Sequence, residues 1–96
     1  MISLVMFNLE FSSDFIKKYK KINKKDPILI KKVDKALKHL SQNPKYPGLN
    51  SHEIKHQKLG RVWTSWAAPD LRILWKYQDD KLTLLLIKIG NHNEVY

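Results

Sequence analysis

The chain has 96 residues, with 18 Lys and Arg against 9 Asp and Glu, which gives a net charge of +9. This length predicts one domain over residues 1–96, and a hydrophobic content of 43% is too high for a disordered chain. The absence of Cys excludes disulfides and Cys-based zinc sites, and every apolar run is far shorter than the roughly 20 residues of a membrane helix. We therefore expect a small cytoplasmic protein with a polyanionic partner, no membrane association and no cofactor.

The first half of the chain predicts one strand and two helices. An apolar stretch at residues 2–9 is typical of a strand. The Ser-Ser-Asp sequence at residues 12–14 can cap a first helix, and Asp26-Pro27 is typical of the N-cap and first residue of a second helix, which Asn43-Pro44 ends. Residues 17–38 of this helical pair hold ten lysines and two aspartates, a net charge of +8. Such a face is either simply solvated or attracts phosphates without reading bases.

The second half of the chain predicts strands. Residues 62–67 are rich in Trp, Thr and Val, residues 71–77 alternate, and residues 82–89 are nearly all apolar, as expected for a central strand covered on both faces. Turns at Pro69-Asp70 and at residues 78–81 separate these strands. The fold class is therefore α+β with the order β-α-α-β-β-β. It consists of an antiparallel meander sheet with an N-terminal strand and a helical hairpin packed on one face.

One arginine of the predicted sheet is a candidate site residue. Alternation along residues 71–77 places Arg72 on the face opposite to Ile73, Trp75 and Tyr77. An arginine in a sheet usually pairs with a carboxylate or a phosphate, because burying it unpaired is costly. We therefore expect either a phosphate contact or an ion pair with one of three nearby carboxylates: Asp70, Glu53 or Glu94.

The four histidines are the next candidates. His39 lies among helix residues and is most simply structural. His52 and His56 lie in a polar loop at residues 50–58, and His92 follows the most apolar strand. Histidine transfers protons near neutral pH. Zinc binding is a weak alternative, because the spacing of the loop histidines lacks a third close ligand.

These residue types match one reaction, the cleavage of RNA by its own 2′-hydroxyl group. That reaction needs a base for the 2′-hydroxyl, an acid for the 5′-oxygen and cations to stabilise the phosphorane. It needs no metal, and an aromatic side chain can stack on a splayed base. Many small basic domains contain the same residue types, so the set by itself is suggestive rather than specific.

Three stretches of the chain resemble the RelE/ParE superfamily of toxins from toxin–antitoxin pairs. They are residues 48–55 (GLNSHEIK), 62–77 (VWTSWAAPDLRILWKY) and 87–96 (IKIGNHNEVY). The last is the most specific, since a hydrophobic strand is followed by Gly-x-His and by an aromatic residue four positions after the histidine. The resemblance implies a RelE-like fold for the whole chain. Within the superfamily, the chain is most similar to YafQ- and RelE-like mRNA endonucleases that act on the ribosome.

The resemblance also implies a catalytic set, which comprises His52, Asp70, Arg72, His92 and Tyr96. In this set His92 is the general acid or base and Arg72 stabilises the phosphorane. Tyr96 stacks on or orients a base of the codon, and His52 and Asp70 share proton transfer and its support.

A second implied set binds RNA, and it comprises Lys55, His56, Lys58, Arg61 and Trp66. The chain departs from the family pattern here, because YafQ-like members carry a histidine where Trp66 stands. Tryptophan cannot transfer a proton. Either His56 compensates or fewer acid–base groups operate.

The resemblance implies three partners: a small acidic antitoxin, the ribosome and mRNA. Two other functions stay open. One is a ParE-like inhibitor of DNA gyrase, which shares the fold and cleaves nothing, and the other is a non-catalytic RNA- or protein-binding module. A pure binder has no need of acid–base residues on its sheet, and this favours the endonuclease.

Overall fold

The computed structural model describes residues 6–96. Five strands form one sheet in the order β1-β5-β4-β3-β2, in which β1 runs parallel to β5 and all other neighbours are antiparallel. The elements follow one another as β1 (Asn8–Phe11), α1 (Ser13–Lys25), α2 (Pro27–Gln42), a 3₁₀ turn (Pro47–Leu49), β2 (His52–His56), β3 (Gly60–Ala68), β4 (Leu71–Tyr77), β5 (Thr83–Gly90) and α3 (His92–Val95). This architecture confirms the predicted α+β fold. None of the helices within residues 6–96 is long and apolar enough to cross a membrane.

The two long helices begin where the sequence predicts. The Ser12 side chain accepts a hydrogen bond from the backbone N–H of Phe15 at 3.0 Å, and it caps α1. The Asp26 side chain accepts from the N–H of Leu29 at 3.0 Å and caps α2, with Pro27 as the first helical residue. Local capping chemistry therefore decides both helix starts.

Three elements differ from the prediction, and one of them is helix α3 (His92–Val95), which the sequence analysis does not predict. The sequence predicts a loop at residues 50–58, but His52–His56 forms the edge strand β2, in which Ile54 pairs with Val62 of β3. With one apolar residue in five, β2 is a strand because of its partner rather than its own composition. The expected N-terminal strand at residues 2–9 lies partly outside the described residues, and the strand that is described begins at Asn8.

The sheet has two unlike faces. The helical hairpin covers one of them over the main core, which includes Phe15, Val33, Leu40, Ile73, Trp75, Leu84 and Leu86. The other carries a smaller cluster of Val62, Leu74 and Val95, with Ile54 and Ile87 packed against it. We call this second face the open face. The predicted alternation is confirmed, because Ile73 and Trp75 lie in the main core and Leu74 lies on the open face.

Candidate functional site

The short helix α3 is fixed firmly at the end of β5. A Cβ atom at Gly90 would lie 2.9 Å from the Cβ of Glu94, so a larger residue would displace the helix. The Asn91 side chain accepts from the N–H of Glu94, and the Glu94 carboxylate accepts from the N–H of Asn91, both at 2.9 Å. Lys18 of α1 also donates to this carboxylate at 2.7 Å. The Lys18 hydrogen bond, followed by that of the Asn91 N–H, lowers the pKa of Glu94 below its usual value.

This helix holds Tyr96 and His92 on the open face. The Tyr96 hydroxyl donates to the buried hydroxyl of Thr64 at 2.7 Å. The His92 ring packs edge-on against the Tyr96 ring, with 4.3 Å between ring centroids and 82° between ring planes. His92 is exposed, and within residues 6–96 its ring nitrogens have no hydrogen-bond partner. Its nitrogens are therefore available to a ligand.

His52 lies directly opposite Thr64 in the β2–β3 ladder. Its Nδ1 is 3.0 Å from the carbonyl oxygen of Asn50, whose backbone is left-handed with φ of 49°. A carbonyl oxygen can only accept, so Nδ1 of the neutral imidazole carries the proton and Nε2 keeps its lone pair. The ring is thus held in the tautomer that a general base requires.

His56 is bound very differently from His52. Its Nδ1 accepts from the backbone N–H groups of Lys58 and Leu59, at 3.1 and 3.2 Å, and its Nε2 donates to the carbonyl oxygen of Val95 at 3.0 Å. Both ring nitrogens are occupied, and the side chain ties the β2–β3 turn to α3. His56 therefore has no free ring nitrogen in this structure, and whether it takes the place of a histidine at position 66 stays a prediction.

Three of the four histidines share one cavity, two of them from β2 and one from α3. The cavity has a volume of about 480 Å³ and is lined by His52, Ile54, Lys55, His56, Gln57, His92 and Tyr96. We call it the histidine cavity. Within residues 6–96, no group of three or more His, Asp or Glu side chains is arranged to hold a metal ion. The three histidines of this cavity are therefore not arranged as metal ligands.

Arg72 lies on the open face, on β4, and is not among the residues that line the histidine cavity. It pairs with Trp66 across β3 and β4, and its guanidinium carbon is 4.3 Å from the centroid of the Trp66 ring. Its Nη1 donates to the carbonyl oxygens of Pro69 and Ala68 at 2.8 and 3.3 Å. These contacts orient the guanidinium without neutralising it.

The alternative expectation for Arg72, an ion pair, is wrong for all three carboxylates within the described chain. Glu94 pairs with Lys18, and Glu53 pairs with Arg61 at 3.2 Å. Asp70 is exposed in the β3–β4 turn and forms no ion pair with residues 6–96. The charge of Arg72 is therefore available to an anionic ligand.

Some predicted site residues lie away from the histidine cavity. Asp70 does not line it, and Lys58 is exposed in the β2–β3 turn. Arg61 lies on the sheet face opposite to Ile54, where Glu53 holds it. Lys55 lines the cavity, whereas Trp66 does not and instead contacts Arg72.

Sequence reasoning missed two supporting residues, Thr64 and Asn50. Thr64 is the buried acceptor that anchors Tyr96, and strand alternation from Trp66 could have placed it on the same face. Asn50 aims its carbonyl oxygen at His52. Its left-handed backbone suits asparagine, but the sequence alone does not show that this position needs it.

Comparison with protein-family models and with curated proteins found no match. Solved structures are similar over almost the whole chain. The YoeB/ParE toxin from Agrobacterium tumefaciens is 13% identical, with 90% of this chain and 99% of that chain covered and a TM-score of 0.77. A metal-bound toxin from Helicobacter pylori is 26% identical (95% and 100% covered, TM-score 0.75), and YafQ from E. coli strain BL21(DE3) is 20% identical (94% and 98%, TM-score 0.73). The similar structures include the E. coli DinJ-YafQ complex and a heterotetrameric YoeB-YefM toxin-antitoxin complex from Staphylococcus aureus.

Proposed function

From the RelE/ParE-like toxin fold that this chain has, we propose that it is the toxin of a type II toxin–antitoxin pair and cleaves mRNA on the ribosome. One observation carries the proposal. His52 and His92 line one cavity with free ring nitrogens, and the unneutralised guanidinium of Arg72 lies on the same face of the sheet. A base, an acid and a cation are the groups that transfer of a phosphodiester to its own 2′-oxygen requires.

The two histidines divide the proton transfers. His52 Nε2 accepts the proton of the 2′-hydroxyl as the 2′-oxygen attacks the adjacent phosphorus. The bond from phosphorus to the 5′-oxygen then breaks, and His92 donates a proton to that oxygen. The products are a 2′,3′-cyclic phosphate and a 5′-hydroxyl, and each proton transfer contributes roughly 10²- to 10⁴-fold to the rate.

Arg72 stabilises the negative charge that develops on the phosphorane, and Tyr96 positions a base of the substrate. The guanidinium offers paired N–H donors to the phosphorane oxygens, where negative charge develops. The Tyr96 hydroxyl is already bonded to Thr64, so the tyrosine offers its ring, on which a splayed base stacks. Asp70 is exposed in the β3–β4 turn and does not line the histidine cavity, so this proposal gives it no contact with substrate.

We infer the partners from the small number of catalytic groups and from the large net charge. A shallow site gains most from a substrate that is already held in a reactive geometry, and a ribosome with mRNA in its decoding site provides that. The net charge of +9 favours a small acidic antitoxin that folds on the basic surface. The DinJ and YefM complexes of similar structures support this partner class.

The test adds purified protein to a cell-free translation reaction and maps mRNA cleavage by primer extension. We compare the wild-type chain with His52→Ala, His92→Ala and the control Asn93→Ala, an exposed neighbour on α3. Wild type and control should cleave translated mRNA, and each histidine variant should be slower by roughly 10²- to 10⁴-fold.

Two results would overturn the proposal. The first is undiminished cleavage by a His52→Ala, His92→Ala double variant. The second is inhibition of DNA supercoiling by gyrase with no effect on translation, which would assign the chain to the ParE-like alternative.

A further inference from the structure

We propose that a second cavity binds a nucleotide of the RNA strand that flanks the cleavage site. This inference rests on the proposed function and names a substrate contact outside the histidine cavity. The second cavity lies between α2 and the end of β3 and has a volume of about 300 Å³. Its side-chain walls include Lys32, Lys35, His39, Tyr46 and Trp66.

Flat aromatic rings form part of the wall. His39 and Tyr46 stack with 4.1 Å between ring centroids and 3° between ring planes. Gly48 provides the space for the tyrosine ring, since a Cβ atom there would lie 2.6 Å from Tyr46 Cε2. Tyr46 and Trp66 are 41% and 38% exposed, which is high for such large aromatic residues. Nucleobases stack on surfaces of this kind with little regard to sequence.

Two lysines also line the second cavity. Lys32 and Lys35 are exposed on α2, and neither is ion-paired within residues 6–96. No carboxylate is among the described residues that line the cavity. The neighbouring Asp34 instead accepts a hydrogen bond from the Tyr19 hydroxyl. Lysines beside partly exposed rings suit a phosphate joined to a base, whereas an acidic peptide would use the lysines and make no use of the exposed part of the rings.

Trp66 lies between the second cavity and Thr64, the residue that anchors Tyr96 of the histidine cavity. It lines the second cavity, and its ring carries the guanidinium of Arg72 on the open face. Thr64, which anchors Tyr96, lies two residues earlier on β3, about 7 Å away along the strand. The β3–β4 register shifts between Trp66 and Ala68, and such bulges re-aim side chains next to functional sites. One single strand can therefore run from the histidine cavity across Trp66 to the second cavity.

The test measures binding without cleavage. Labelled 2′-O-methyl oligonucleotides of two, four, six and eight residues are titrated against the free protein by fluorescence anisotropy, because they have no 2′-hydroxyl to attack. The variant is Lys32→Gln with Lys35→Gln. Its control is Lys31→Gln with Lys38→Gln, which removes the same charge from exposed positions of α2 outside the second cavity.

For the wild type, occupation of the second cavity should raise the affinity about tenfold between the shortest and the longer oligonucleotides. The Lys32/Lys35 variant should lose this gain. The control should weaken binding to all lengths alike and keep the gain. A Tyr46→Leu variant, which keeps every charge, should also lose the gain.

Three outcomes decide between the alternatives. The proposed role of the second cavity would be overturned if affinity depended on oligonucleotide length in the same way for the Lys32/Lys35 variant and for the control. The proposal would also be overturned if the Lys32/Lys35 variant lost as much affinity for a hexaglutamate peptide as for RNA, because that result indicates a site for acidic peptides. A chain that shows the length gain but never cleaves mRNA would support the second cavity and overturn the proposed function, so the two failures are distinguishable.

Discussion

At the scale of single residues, the same side chain has two different roles within one short strand. His52 and His56 are four positions apart on β2, and both line the histidine cavity. His52 uses one ring nitrogen to fix its tautomer and keeps the other free, whereas His56 uses both to hold the backbone. Backbone groups therefore decide which histidine keeps a free ring nitrogen.

This difference predicts a split between stability and rate. His56→Ala removes the tie between the β2–β3 turn and α3, and it should lower the free energy of unfolding by about 1–2 kcal/mol. His52→Ala removes one exposed hydrogen bond, and it should change stability by less than about 0.5 kcal/mol while it lowers the cleavage rate steeply. Urea unfolding and single-turnover cleavage of ribosome-bound mRNA measure the two effects. The assignment is wrong if His52→Ala costs more stability than His56→Ala.

The sequence predicts which residues are candidates better than it predicts their hydrogen bonds and ion pairs. Strand alternation places Arg72 on the open face, as the structure confirms, whereas the roles that the resemblance implies for His92 and Tyr96 stay predictions. The absent ion pair of Arg72 could not be predicted, because the partner of Glu94 is Lys18, 76 positions away in the chain. Contacts between distant positions depend on the complete fold.

At the scale of elements, predictability follows how local the stabilising interactions are. Helices α1 and α2 are each defined by a cap and an apolar stripe within their own sequence, which predicts both of them. Strand β2 has one apolar residue and is defined by its pairing with β3, so its own sequence does not predict it. Helix α3 is four residues long and depends on its capping box and on Lys18.

The dependence of α3 on Glu94 predicts a pH effect. The pKa of this carboxyl is lowered in the folded chain from its ordinary value of 4.5, so its contribution to stability is complete above about pH 4.5 and is lost as pH falls through the folded-state pKa. A Glu94→Gln variant should therefore melt below the wild type at pH 7, and the difference between the two melting temperatures should be smaller at pH 3.

Thermal melts at both pH values, followed by circular dichroism, make the measurement. Glu53→Gln is the matched control, because it breaks the ion pair with Arg61 and leaves α3 intact. It should differ less from the wild type at pH 7 than Glu94→Gln does. A difference between wild type and Glu94→Gln that is as large at pH 3 as at pH 7 would contradict this role of the carboxylate.

At the scale of the whole molecule, most of the net charge lies on one face of the sheet and the candidate catalytic residues lie on the other. The helical hairpin packs on the face that holds the main core, and residues 17–38 within it carry the net charge of +8. The histidine cavity and Arg72 lie on the open face. The net charge of +9 thus lies mainly on the helical hairpin, and the candidate catalytic residues lie on the other side of the sheet.

This separation predicts that affinity for the ribosome and the rate of the chemical step can be changed independently. Replacing Lys17, Lys24, Lys31 and Lys38, which are exposed on the hairpin, with Gln should reduce the slope of log affinity for ribosomes against log salt concentration. The reduction is roughly 0.7 to 0.9 for each phosphate that the variant no longer neutralises. Cleavage at saturating protein should keep its rate, because none of these lysines lies on the open face. Binding and single-turnover cleavage from 50 to 300 mM salt test both statements. An unchanged slope would mean that the hairpin lysines are a solvated surface and that the ribosome recognises the chain through the open face alone.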